Sequence, residues 1–185
     1  MIRGSVEGVG RIVSQEQRRA YQITGMQPIS RECLVCGTEN ALGIKARFFE
    51  ASSKELIALF TLRNQHQSYP GIAHGGISAT VLDEVIGRAI MIDHDHQTFG
   101  MTLDLQVRYR KPVPLGIELK VVGRIDADKG RLFEGSGELY LPDGTIAVEA
   151  HGKYMKRRID QITAADFTDT SWVVPEGELP ATIVI

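Results

Sequence analysis

The stretch Gly71-Ile72-Ala73-His74-Gly75-Gly76-Ile77-Ser78-Ala79-Thr80-Val81-Leu82-Asp83-Glu84 decides how this chain folds. A His-Gly-Gly turn opens a segment of helical periodicity that runs from Gly75 to about Ile92. Ile77, Val81, Leu82, Val85, Ile86, Ala89 and Ile90 cover most of the circumference, so the helix is expected to be buried. Inside it sits a carboxylate, Asp83. Burying a carboxylate costs several kcal/mol unless the group is paired or used. Glycines at a helix start leave backbone N–H groups free to meet negative charge.

Asp83 and Glu84 are adjacent and point about 100° apart, so only one can face a given site. Glu84 has Arg88 four residues on, a favourable spacing for an ion pair. Asp83 has Ala79 and Gly87 at the same spacings, small residues that leave a groove for a ligand chain, and no cation on the helix neutralises it. Asp83 is therefore the candidate acid. Gly75 and Gly76 are the candidate anion donors, a role in which one N–H stabilises a transition state by roughly 3–4 kcal/mol. His74 is expected chiefly to orient the turn, with catalysis by its imidazole the lesser reading. An acid and an anion site about two helical turns apart suggest acyl chemistry.

On the N-terminal side, residues 12–22 read as a short helix with Ser14 as N-cap and Gln17 at N3. Residues 43–50 and 55–63 read as strands around a turn at Ser52-Ser53, followed by a polar loop from Asn64 to Pro70. On the C-terminal side come four strands: Leu103 to Tyr109, Ile117 to Ile125, Leu132 to Leu141, and Ile146 to Tyr154. The turn Leu141-Pro142-Asp143-Gly144-Thr145 joins the last two. The last strand alternates, with Glu149, His151 and Lys153 outward. Residues 160–167 suggest a short helix, and the tail from Trp172 is expected to pack on a neighbour or stay partly disordered. The fold class is α+β, with about six antiparallel strands curled around one central helix.

The 185 residues suffice for one domain with a real core. A formal charge of −2 gives no reason to expect nucleic-acid binding. No apolar run approaches a membrane span, and residues 1–7 lack the apolar region of a secretion signal, which points to the cytoplasm. The two cysteines, Cys33 and Cys36, form a Cys-x2-Cys-Gly turn. A zinc site needs two more ligands, and no second Cys or His pair has the spacing. No thioredoxin-like βαβ pattern surrounds them, so two partly buried thiols and no metal are expected. His94 and His96 read as solvated turn residues.

The order strand, strand, loop, His-Gly-Gly, helix, four strands resembles the hotdog fold. His74-Gly75-Gly76 with an acid nine residues after the histidine is similar to acyl-CoA thioesterases of the phenylacetate-pathway and 4-hydroxybenzoyl-CoA type. Gly100 to Pro112 is similar to that family's next strand, where a Ser or Thr reaches the partner subunit's active site. Cys33 to Asn40 also occurs in some members. The resemblance covers about residues 43–156, giving a hotdog domain over 43–158 between an N-terminal segment (1–42) and a tail (159–185). It implies that Asp83 is nucleophile or general base, that the Gly75 N–H polarises the thioester carbonyl, and that Thr102 positions the water or the acid. It implies that coenzyme A enters as part of the substrate, with no separate cofactor. It also implies a homodimer with sites between subunits, a tetramer remaining compatible. The family often carries Asn six residues before the histidine, where this chain has Ser68, beside His66 and Gln67.

His66, Ser68 and Tyr69 are candidates to line an acyl or pantetheine pocket, with Gly76, Ala79 and Gly87. Arg108, Arg110, Lys111, Lys153, Lys156, Arg157 and Arg158 form basic strand ends that suit phosphates, and Arg110 is the candidate among them. A hotdog dehydratase or hydratase of 3-hydroxyacyl thioesters, or a non-catalytic acyl-CoA binder, is the alternative. The acid two turns after His-Gly-Gly disfavours the first, and the lack of a helix-turn-helix disfavours a DNA-binding sensor.

Overall fold

The computed structural model describes residues 18–94, 96–164 and 172–185. One helix, α1 (Gly75–Arg88), lies against an antiparallel sheet and continues as a 3-10 turn from Ala89 to Asp93. Its apolar residues face the sheet, and Val81, Leu82, Val85 and Ile86 are fully buried. Burial of each such side chain stabilises the fold by roughly 1.5–3 kcal/mol. His74 caps the helix: its Nδ1 accepts the Gly76 N–H at 2.9 Å.

The strands are β1 (Ala20–Met26), β2 (Ile29–Ser30), β3 (Arg47–Ala51), β4 (Leu56–Thr61), β5 (Thr98–Tyr109), β6 (Glu118–Lys129), β7 (Leu132–Tyr140), β8 (Ile146–Arg158), β9 (Trp172–Val173) and β10 (Thr182–Val184). Eight of them form one sheet in the order β10-β1-β3-β4-β6-β7-β8-β5, and β2 pairs with β9. The β3–β4 and β7–β8 hairpins fall where the turn residues predict. In β8, Val148, Ala150, Gly152 and Tyr154 face the core, while Glu149, His151 and Lys153 face outward.

The flanks differ from expectation. Residues 20–22 open β1, not a helix; residues 12–17 of the expected helix lie outside the described residues. Tyr21 points into a second apolar cluster with Phe49, Ile57, Val122 and Ile183, on the sheet face away from α1. Alternating burial in residues 20–26 outweighs a weak helical pattern. The tail packs on its own chain: β10 pairs with β1, and β9 places Trp172 edge-on to Phe99, 5.4 Å between ring centres. The sheet thus has eight strands rather than six, and both flanking segments belong to it. Only a single 3-10 turn, Ile159–Gln161, stands where a helix over 160–167 is expected, and residues 165–167 lie outside the described residues.

Candidate active site

Asp83 lies midway along α1 and half-buried, opposite the point where β5 and β8 pair. Thr102 on β5 and Tyr154 on β8 are cross-strand partners, so their side chains share one face. Both donate to the same oxygen: Thr102 Oγ1 to Asp83 Oδ1 at 2.8 Å, and the Tyr154 hydroxyl at 3.1 Å. The register of β5 shifts between Thr102 and Asp104, a bulge that aims Thr102 at the helix. Gly100, two residues before Thr102, lets strand and helix touch. A Cβ there would lie 2.8 Å from the Gly87 carbonyl oxygen and 2.6 Å from the Phe133 ring.

Among the described residues no cation bonds Asp83. Burial raises its pKa above the usual carboxylate value, the Glu84 charge adds to the rise, and the hydrogen bonds from Thr102 and Tyr154 oppose it. Tyr154 is wholly buried and stacked on Phe133 at 5.0 Å. Burial, then the Asp83 charge, push its hydroxyl far above the ordinary phenol range, which keeps it a donor. Asp83 lines a cleft of about 330 Å³ with Cys33, Gly87, Phe99, Thr102 and Trp172.

The His-Gly-Gly turn is eight residues away. At the helical rise of 1.5 Å per residue, Gly75 and Asp83 are about 12 Å apart along the axis. The Gly76 N–H is taken by His74 Nδ1, and the Ile77 N–H by the His74 carbonyl at 2.9 Å. Gly75 retains its N–H with no partner among the described residues, at the positive end of the helix dipole. Its own carbonyl accepts the Tyr109 hydroxyl at 2.9 Å. His74 therefore acts on the turn, with its imidazole Nδ1 as an acceptor.

The other candidates are placed as follows. His66 is buried, its Nδ1 accepting the Arg63 N–H at 3.1 Å and its Nε2 2.9 Å from the Leu42 carbonyl, which commits both ring nitrogens within the chain. Ser68 and Tyr69 are exposed in the loop before the turn. Gly87 lines the Asp83 cleft, whereas Ala79 does not. Arg110 is exposed, paired with Glu149 at 2.7 Å, and lines a cavity on the other face of the sheet. Lys156 pairs with Asp128, and Arg158 bonds Gln97 at 2.7 Å, so the basic strand ends do not converge on the cleft. Thr102, for which the resemblance implies a reach into a partner's site, bonds the Asp83 of its own chain. His96, expected to be solvated, lies 2.8 Å from Glu50 Oε1.

Glu84 takes the opposite course from Asp83. It pairs with Arg88 at 2.6 Å, as the spacing predicts. The buried Arg88 also donates to the Pro28 carbonyl at 2.9 Å and to Cys36 Sγ at 3.3 Å, between the rings of Phe48 and Trp172. Cys33, Cys36 and Glu84 bring ligand-type atoms within 4.8 Å of one another. The Arg88 guanidinium already supplies the positive charge beside two of them.

Tyr154 and Trp172 are absent from the sequence-based set. Tyr154 left a signal: it follows Val148, Ala150 and Gly152 on the inward face of β8, where a hydroxyl needs a buried partner. Trp172 left none, because its place depends on the pairing of two-residue strands.

Residues 70–148 match the family model described as "Thioesterase superfamily". The chain is similar to "Acyl-coenzyme A thioesterase THEM4" of Rattus norvegicus, 31% identical over 146 residues, covering 78% of this chain and 60% of that one. The protein of the same name from Mus musculus is 29% identical over 120 residues, covering 64% and 50%. Among solved structures, a thioesterase superfamily protein superposes with a TM-score of 0.62 at 32% identity, covering 69% of this chain and 61% of that one. The chain spans about half to three-fifths of the length of these curated relatives. No helix among the described residues is long and apolar enough to cross a membrane.

Proposed function

We propose, for a chain whose residues 70–148 belong to the thioesterase superfamily and take its hotdog fold, that it hydrolyses acyl-coenzyme A thioesters. The observation that carries this reading is Asp83. It is a half-buried carboxylate in a cleft, oriented by two hydroxyls and, among the described residues, paired with no cation. A carboxylate so held has one oxygen fixed and the other free for chemistry.

In this reading Asp83 attacks the thioester carbonyl or takes a proton from the water that does. The carbonyl oxygen gathers negative charge and is met by the Gly75 N–H at a helix N-terminus. The C–S bond then breaks, coenzyme A leaves as its thiolate, and the acyl group leaves as the free acid. No cofactor takes part; coenzyme A enters with the substrate.

One carbonyl cannot lie within about 3 Å of both groups when they are about 12 Å apart on one helix. The site therefore takes Asp83 from one chain and the Gly75 turn from another, in a homodimer whose helices run antiparallel. The edge of the sheet supports this. β5 is twelve residues long, has no strand paired on its outer side among the described residues, and exposes Met101, Leu103 and Tyr109. A long apolar edge of this kind needs a cover, and a second copy gives one. A tetramer of two such dimers is compatible with the same surface. A reducing compartment such as the cytoplasm suits the two free thiols.

The test is release of free thiol from short, medium, long and aromatic acyl-coenzyme A by purified protein. Release that vanishes in Asp83→Asn, with coenzyme A binding retained, supports the reading and names the acyl class. No release from any of the panel refutes it.

A further inference from the structure

The Cys-x2-Cys turn is built around its two sulfurs. The Cys33 N–H bonds the Ser30 carbonyl at 3.0 Å, and the Gly37 N–H bonds the Cys33 carbonyl at 2.9 Å, closing one tight turn. Position 37 has room only for glycine, since a Cβ would lie 2.3 Å from the Arg31 carbonyl oxygen and 2.5 Å from that of Cys33. The sulfurs lie within 4.8 Å of each other.

The two thiols are not equivalent. Cys33 is half-exposed and lines the cleft that holds Asp83. Cys36 is buried, with the Arg88 guanidinium 3.3 Å from its sulfur. The Val35 N–H points at Cys33 Sγ from 3.3 Å, a donor that favours a thiolate there. We infer that this turn is an oxidant-reactive dithiol: Cys33 takes an oxygen from a hydroperoxide at the cleft, and Cys36 resolves it as an intramolecular disulfide.

In the first step the Cys33 thiolate attacks a peroxide oxygen. A sulfur–oxygen bond forms, the oxygen–oxygen bond breaks, and the peroxide leaves as an alcohol, or as water from hydrogen peroxide, after taking a proton. Cys33 is then a sulfenic acid. In the second step the Cys36 sulfur, losing its proton, attacks Cys33 sulfur. The disulfide forms, the sulfur–oxygen bond breaks, and water leaves. Two thiols are oxidised and one peroxide is reduced.

The groups facing Cys33 are Cys36, Glu84 and Arg88. The neighbouring Cys36 thiol is the largest influence on Cys33 and lowers its pKa, against burial and the Glu84 charge. The neighbouring Cys33 and burial push Cys36 up, against the Arg88 charge. Cys33 faces the cleft and Cys36 lies buried behind it, the order that an attacking and a resolving thiol require. None of this depends on the thioesterase reading.

The experiment is to expose the reduced protein to hydrogen peroxide near neutral pH, block remaining thiols with iodoacetamide, and measure intact mass and peptide masses. Loss of both thiols together, with a bond between residues 33 and 36 of one chain, is expected. Cys36→Ser should stop at a Cys33 sulfenic acid that dimedone traps, while Cys33→Ser should leave Cys36 unoxidised. On the unsubstituted protein, Cys33 should alkylate on the order of tenfold faster than a free thiol at pH 7. Two thiols that survive peroxide, a bond that forms only between chains, or a Cys36 oxidised as readily in Cys33→Ser would overturn the inference.

Discussion

Asp83 and Glu84 follow one another in α1, yet Asp83 turns toward β5 and β8 while Glu84 turns toward Arg88 and the Cys33–Cys36 turn. Glu84 has a guanidinium at 2.6 Å that is itself tied to Pro28, Cys36 and two aromatic rings. Asp83 has two hydroxyls and, among the described residues, no cation. Two carboxylates with the same chemistry thus differ in how their charge is met. One is part of what holds the N-terminal turn to the helix. The other keeps a charge that the fold orients without neutralising. That difference, more than burial, which both share, is what makes Asp83 the candidate for catalysis.

The contrast fixes what each substitution does. Asp83→Asn should lower kcat/KM for acyl-coenzyme A by about a thousandfold, measured by thiol release. It should also raise Tm at neutral pH. The sign follows from the folded-state pKa, which lies above the unfolded value. Such a carboxyl contributes stability below its unfolded pKa and loses it as pH rises through the folded one. Removing the charge removes that loss.

Arg88→Met should do the reverse: catalysis per folded molecule changes little, and stability falls by about 3–5 kcal/mol, because Glu84 is left without its partner. Urea unfolding reads this, and Glu84→Gln added to Arg88→Met should recover part of it.

Gly75→Pro tests the other end of α1. Proline suits the first helical position, and His74 before it already has an extended backbone (φ −66°, ψ 135°). The change deletes one N–H and displaces only the exposed Tyr109 ring, 3.2 Å from where a Cβ would lie. Activity should fall about 10²–10³-fold with Tm nearly unchanged.

Tyr154→Phe should have the smallest effect. Its hydroxyl lowers the Asp83 pKa, so without it the carboxyl stays protonated to higher pH. The acid limb of the kcat/KM profile should move upward, while the rate on the alkaline plateau falls by less than about tenfold.

Much of this was legible in the sequence because it is local. The spacing of Val81, Leu82, Val85 and Ile86 sets the buried face of α1. The four-residue step from Glu84 to Arg88 sets their pair, and Gly144 sets the β7–β8 turn, at φ 81°. What escaped depends on distant pairing. Tyr21 and Ile183 meet across the sheet from opposite ends of the chain. Trp172 reaches the cleft only because β9 finds β2. Glu84 joins Cys33 and Cys36 from about fifty residues away. Arg110 read as free for a phosphate, and Glu149 on the neighbouring strand takes it. His66 read as a loop residue open to ligand, and the Leu42 carbonyl 24 positions back claims its ring.

In the proposed dimer Asp83 of one chain and Gly75 of another serve the same carbonyl. Co-expression of Asp83→Asn with Gly75→Pro tests it most directly. Each variant alone is nearly inactive. In a mixed dimer one site keeps both native groups and the other loses both. Random pairing should then restore about a quarter of the native activity. Activity no greater than that of the separate variants would contradict the claim and put the reacting groups within one chain.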